Sequence, residues 1–163
     1  FKVGAAVYPA RMAILLPTDA FVALAALGWA DDTLRPLERT GLLRAARECG
    51  VAEGEMGRIE KAIAEKTDLG AFTPGDMTEW QRIVTYALAC WLARLDGVLS
   101  TEERTSLGEL ASRLGLDKPL CDRASAAAFD ISVLPEGGRP ERFDFVKLEA
   151  RLREKLPTQA KHA

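Results

Sequence analysis

The sequence predicts an all-α fold: a single-domain bundle of about seven helices, built from two helical repeats related by a pseudo-twofold. Three observations carry that expectation. Apolar residues recur at helical spacing through most of the chain, most clearly at Trp80, Ile83, Val84, Ala87, Leu88, Trp91, Leu92 and Leu95. No stretch alternates apolar and polar residues with the period of two that a half-buried strand requires. The chain also repeats itself at an offset of 65 residues, which pairs Asp31 with Asp96, Leu34 with Leu99, and Glu38-Arg39-Thr40 with Glu103-Arg104-Thr105. Leu42, Ala46 and Gly50 likewise pair with Leu107, Ala111 and Gly115, which makes 8 identities in 21 ungapped pairs over residues 31–51 against 96–116. Self-similarity at a fixed period marks a repeated supersecondary unit.

Taken in order, residues 1–17 are apolar but broken by Pro9 and Pro17, which predicts an extended or irregular arm packed on the body. Thr18-Asp19 can cap a helix running to about Ala30, apolar all round and therefore central. Residues 31–35 turn the chain, and Pro36 suits the first position of a second helix. That helix carries Leu42, Ala45, Ala46 and Cys49 on one face and stops at Gly50. A third helix spans about 52–66, with Met56, Ile59 and Ile63 inward and Gly54 and Gly57 weakening it.

Residues 67–75 are rich in turn formers and link the two copies, 18–66 and 77–130. Asp76-Met77-Thr78-Glu79 reads as a capping box for the longest apolar helix, which ends near Leu95. Ser100 with Glu103 forms a second box, opening a helix with Leu107, Leu110, Ala111 and Leu114 inward. Asp117 caps a further helix, with Pro119 in its first turn and Leu120, Ala124 and Ala128 inward. A loop over 132–139 precedes an amphipathic helix expected over 140–156, with Phe145, Leu148 and Leu152 inward, and residues 157–163 read as a polar tail.

Composition sets bounds on function. With 163 residues, 48% of them hydrophobic and 28% charged, the chain can bury a sizeable core as one domain. A net charge of −2 gives no electrostatic argument for nucleic acid or an anionic membrane. The longest uninterrupted apolar run, residues 20–30, is too short to cross a bilayer, and residues 1–17 lack the basic start and cleavage site of a signal peptide. Cys49, Cys90 and Cys121 fall in apolar helical rows without ligand spacing, so they read as reduced core residues of a cytoplasmic protein. The single histidine, His162, stands in the tail, so no Ser-His-Asp or Cys-His set can form on the core. Gly137-Gly138 after Pro135-Glu136 is a turn rather than a phosphate loop, and Trp29, Trp80 and Trp91 lie on core rows.

The remaining chemistry lies in the acidic residues of the repeat. Asp31 and Asp96 each stand near the C-terminal end of a helix, where the dipole disfavours a carboxylate. Glu38 and Glu103 follow seven residues later in a first helical turn, where it favours one. A tight turn can bring each Asp–Glu pair to one cation, and hard oxygen ligands suit Mg²⁺, Ca²⁺ or Mn²⁺. The plainer reading is local: Glu103 completes a capping box, Gly97 ends a helix in the left-handed conformation, and the aspartates anchor turns. An EF-hand is excluded, because a loop opening at Asp96 would place Leu107 where the closing bidentate Glu belongs.

The run Leu92-Ala93-Arg94-Leu95-Asp96-Gly97-Val98-Leu99-Ser100-Thr101-Glu102-Glu103, closing at Leu114-Gly115-Leu116, resembles the TerB-like domains of tellurite-resistance and related stress systems, and the resemblance covers roughly residues 18–130. It implies an all-helical domain, a protein partner, and an acidic metal site that falls here on Asp31, Glu38, Asp96 and Glu103. The first copy departs from the pattern: Asp32 replaces the glycine, and Arg35-Pro36 replaces Ser-Thr. The expectation is a non-enzymatic protein-interaction module of a stress-response assembly, with a divalent-cation site, no nucleic acid partner and no membrane span in this chain. A membrane-associated assembly would be reached through a partner or a segment outside it. Two other readings stay open: a metal-dependent hydrolase using the same carboxylates, with Asp32 and Glu102 available as bases, and a purely structural helical domain.

Overall fold

The computed structural model of the chain describes residues 12, 14–97, 99–135 and 137–163. Most of the arm expected over residues 1–17 therefore lies outside the described residues. Its inner end is held: Met12 and Leu16 are buried, and the Leu16 amide donates to the Cys49 carbonyl at 3.1 Å.

Among the described residues the protein is all-helical, with eight α-helices and no strand. They are α1 Thr18–Gly28, α2 Pro36–Glu48, α3 Glu53–Ala64, α4 Glu79–Ala93, α5 Thr101–Leu114, α6 Lys118–Ser132, α7 Phe145–Lys155 and the short α8 Pro157–Ala160. A single 3₁₀ turn, Leu69–Ala71, sits in the linker and is capped by Asp68, which accepts from the Gly70 amide. None of the helices is long and apolar enough to cross a membrane.

The helix bounds keep the sequence offset. Helices α2 and α5 begin 65 residues apart, as do α3 and α6, and α1 and α4 end 65 apart. The backbone keeps it too. Asp32 has φ +66° where the second copy has Gly97 at +81°, and Gly50 at +82° matches Gly115 at +69°. An aspartate is among the few side chains that tolerate the left-handed region. The replacement of glycine by Asp32 thus leaves the turn intact.

Within each copy the first helix packs most extensively on the third, α1 on α3 and α4 on α6. The first helices also meet each other, and both are buried on nearly every side. This is why their sequences are apolar without a polar face. The copies join closely where α2 crosses α4. A Cβ on Gly41 would stand 3.0 Å from Trp91 Cη2, Leu92 Cδ2 and Leu95 Cδ1, so a larger residue there would have to push these side chains back, and glycine lets the helices approach without that.

The C-terminal segment completes the core. Trp91 stacks on Phe143 with centroids 4.3 Å apart, and Phe145 meets both rings edge-on at 5.1 Å. Arg44 of α2 donates to the carbonyls of Pro140 and Phe143, at 3.0 and 2.6 Å, and lies over the Phe145 ring. Two expectations are corrected here. The helix expected from Pro140 begins at Phe145, because Arg44 engages carbonyls of the preceding turn and Asp144 caps the helix through the Lys147 amide. The expected polar tail carries α8, with the buried Leu156 anchoring it.

Two helix starts and one tryptophan also differ from expectation. Helix α1 has Pro17 at its cap and no side-chain cap bond. The box opening α4 is Thr78 with Gln81, each side chain bonded to the other's amide, rather than Asp76 with Glu79. Trp29 is half-buried rather than core, and its indole N–H donates to the Ala62 carbonyl at 2.9 Å. The three cysteines are free and buried. Burial pushes the Cys49 thiol up to about 12 and that of Cys90 up to about 11, so neither forms a nucleophilic thiolate near neutral pH.

Candidate functional site

The two inter-helix turns of the repeat face each other, α1–α2 carrying Asp31 and Arg35, and α4–α5 carrying Asp96 and Ser100. Their carboxylates meet in one seam, and an arginine stands in the middle of it. Arg35 Nη2 donates to Asp31 Oδ2 at 3.0 Å within its own turn. Its Nε lies 3.1 Å from Asp96 Oδ2 of the other copy, and its Nη1 lies 3.8 Å from Glu38 Oε1. A planar guanidinium presents donors in a fixed fork, so one side chain can span two carboxylates on separate turns. The Asp31 and Asp96 charges in turn hold the guanidinium firmly protonated.

Glu38 and Glu103 occupy equivalent places, the third residue of α2 and of α5. Each accepts the amide of its helix cap through Oε1, Glu38 from Arg35 at 3.0 Å and Glu103 from Ser100 at 3.1 Å. In α5 the box is complete, because Ser100 Oγ accepts the Glu103 amide at 3.0 Å. In α2 it is half a box, since an arginine side chain has no acceptor to return. Both glutamates are buried, 4% and 1% exposed.

The second oxygen of Glu38 is the unsatisfied atom of the seam. Its Oε2 is buried without a hydrogen-bond partner, as is Arg35 Nη1. It faces the end of α1, where a Cβ built on Gly28 would stand 3.6 Å away. Burial first, then the nearby charges of Glu103 and Asp96, raise the Glu38 carboxyl to about 7, against the pull of the Arg35 amide and guanidinium. At neutral pH this carboxyl is therefore shared between its two protonation states.

All four carboxylates singled out by the repeat thus share one locus, and the residue that sequence reasoning missed is Arg35. A signal for it was present: a basic residue stands where the second copy has Ser100, among four acids. The arrangement does not fit a resident divalent ion. Such an ion needs carboxylate oxygens at roughly 2.0–2.6 Å. Here Asp31 Oδ2 and Asp96 Oδ2 face the guanidinium, Asp31 Oδ1 accepts the Thr33 amide at 3.3 Å, and Oε1 of each glutamate accepts a cap amide. Among the described residues no group of three or more His, Cys, Asp or Glu side chains is arranged to hold a metal.

A second feature adjoins the α4–α5 turn, at the C-terminal end of α4. A cleft of about 250 Å³ opens between Trp91 and Leu95 of that segment and Ala128 and Phe129 of α6, with Arg94 and Gly138 at its edge. Phe129, which lines it, is 54% exposed, and Val133, one turn further on, is 61% exposed; Leu134 lines a separate cleft with Ile131 and Gly137.

Comparison of the chain with known protein families, with characterised proteins and with solved structures finds no match in any of the three.

Proposed function

We propose that this chain is a TerB-like, non-enzymatic module that binds a partner protein in a stress-response assembly, its two copies being one helical unit duplicated about a pseudo-twofold. The observation that carries the binding role is the apolar surface at the end of α6. Isolated exposed apolar residues are ordinary, but Phe129, Val133 and Leu134 lie together at one helix end, with Phe129 lining a ready cleft. An exposed aromatic ring bordering a cleft that reaches Trp91 has the make-up of a binding hot spot, with Arg94 as its cationic edge. The assignment to stress response rests on the resemblance of residues 92–116 to the TerB pattern.

The test is affinity capture from the native cell with the wild-type protein and with Phe129→Ser/Val133→Ser. Both positions are exposed, so the double variant should keep the wild-type melting temperature. The expected result is a protein recovered by the wild type and lost by the folded variant. Equal recovery by both would overturn the reading.

A further inference from the structure

We propose that Arg35 is the built-in cation of the acidic seam: it takes the place a divalent ion would hold and fastens the second repeat to the first. The inference is independent of partner binding. It starts from register. Arg35 stands 65 residues before Ser100, at the cap of the equivalent helix, so the two copies differ where their turns face each other. A serine there caps its own helix and adds no charge. An arginine gives up the hydroxyl cap and gains reach across the seam.

The reach is used. Nε meets Asp96 at 3.1 Å, Nη2 meets Asp31 at 3.0 Å, and Nη1 is turned inward toward Glu38, where it is buried. The guanidinium thus faces three of the four carboxylates, and the charge of the fourth, Glu103, bears on the Glu38 carboxyl. A divalent ion at the same place would have to displace the arginine from two aspartate oxygens at once. It would also draw on glutamate oxygens that already accept cap amides. The seam therefore needs no ion from solution, and neither a chelator nor a change of metal should loosen it.

The experiment follows thermal unfolding of the wild type and of Arg35→Ser, which gives the first copy the residue of the second, in chelator, Mg²⁺, Ca²⁺ and Mn²⁺. The wild-type melting temperature should be the same in all four. Arg35→Ser should melt lower in chelator and recover part of the loss with at least one of the ions, because the unneutralised carboxylates then have an outside cation to take. A wild-type melting temperature that rises with any of the ions overturns the proposal. So does an Arg35→Ser protein that melts with the wild type in chelator, or gains nothing from any ion. Should Arg35→Ser fail to fold in chelator, electron paramagnetic resonance of Mn²⁺ added to the wild type decides. Free Mn²⁺ is expected; Mn²⁺ bound to wild type but not to Asp96→Asn overturns the proposal.

Discussion

Replacing Glu38 by glutamine should change how stability depends on pH, and the sign is fixed by the seam. The carboxyl rises from an ordinary 4.5 to about 7 in the folded protein, through burial first and the Glu103 and Asp96 charges after it. Between those values the folded state holds a proton that the unfolded chain has released. The stability that Glu38 contributes is thus fully present below about pH 4.5 and is lost as pH rises through about 7. At about 1.4 kcal/mol per pH unit, the loss is on the order of 3 kcal/mol. Glutamine keeps an oxygen for the Arg35 amide and puts an NH₂ where Oε2 has no partner, beside acidic neighbours. Glu38→Gln should therefore lie within about 1 kcal/mol of wild type at pH 4.5 and gain on it by roughly 1–3 kcal/mol at pH 8. Urea denaturation of both proteins across this range gives the answer, because groups common to the two cancel in the difference. A difference that stays constant with pH, or that moves against the variant as pH rises, would refute the reasoning.

Three further outcomes are expected from denaturant titration. Trp91→Ala should cost about 3–5 kcal/mol, since the ring is buried between Phe143 and Phe145; a cost below about 1 kcal/mol would show the face to be open. Ser100→Ala should cost about 0.5–2 kcal/mol, because the Glu103 amide loses its acceptor, and an unchanged midpoint would mean the box contributes nothing. Gly137→Ala should destabilise by about 1–3 kcal/mol, as the new Cβ would stand 2.4 Å from the Ile131 carbonyl oxygen and 2.8 Å from that of Ser132, both backbone atoms. A wild-type midpoint would show that the turn shifts freely.

The sequence makes the helices legible because the core is built from periodic apolar faces, and those do not depend on distant contacts. Trp80 to Leu92 is the clearest case, and its inward residues are buried as its spacing predicts. Helix ends were less legible. The first turn after Pro140 looks helical in sequence, but Arg44, nearly a hundred residues away, engages its carbonyls. The sequence points to Asp76 with Glu79 because Glu79 looks like the acidic partner, whereas the box forms between Thr78 and Gln81 three residues on. The site was legible in half. Two carboxylate pairs at one offset point to a shared locus, and the seam contains all four. Arg35 read only as a lost hydroxyl cap, because its role depends on where Asp96 sits in space, and spacing within one turn carries no such information.

The central claim is that Arg35 joins the two copies across the seam, and a double-mutant cycle of Arg35→Ser with Asp96→Asn measures that link directly. Each single variant changes its own turn, and the cycle removes those local costs. The Arg35 and Asp96 side chains are 36% and 21% exposed, so solvent screening limits the coupling to about 0.5–1.5 kcal/mol. A coupling in that range, unchanged by chelator, is the predicted result. Additive costs, with a coupling below about 0.3 kcal/mol, would contradict the account.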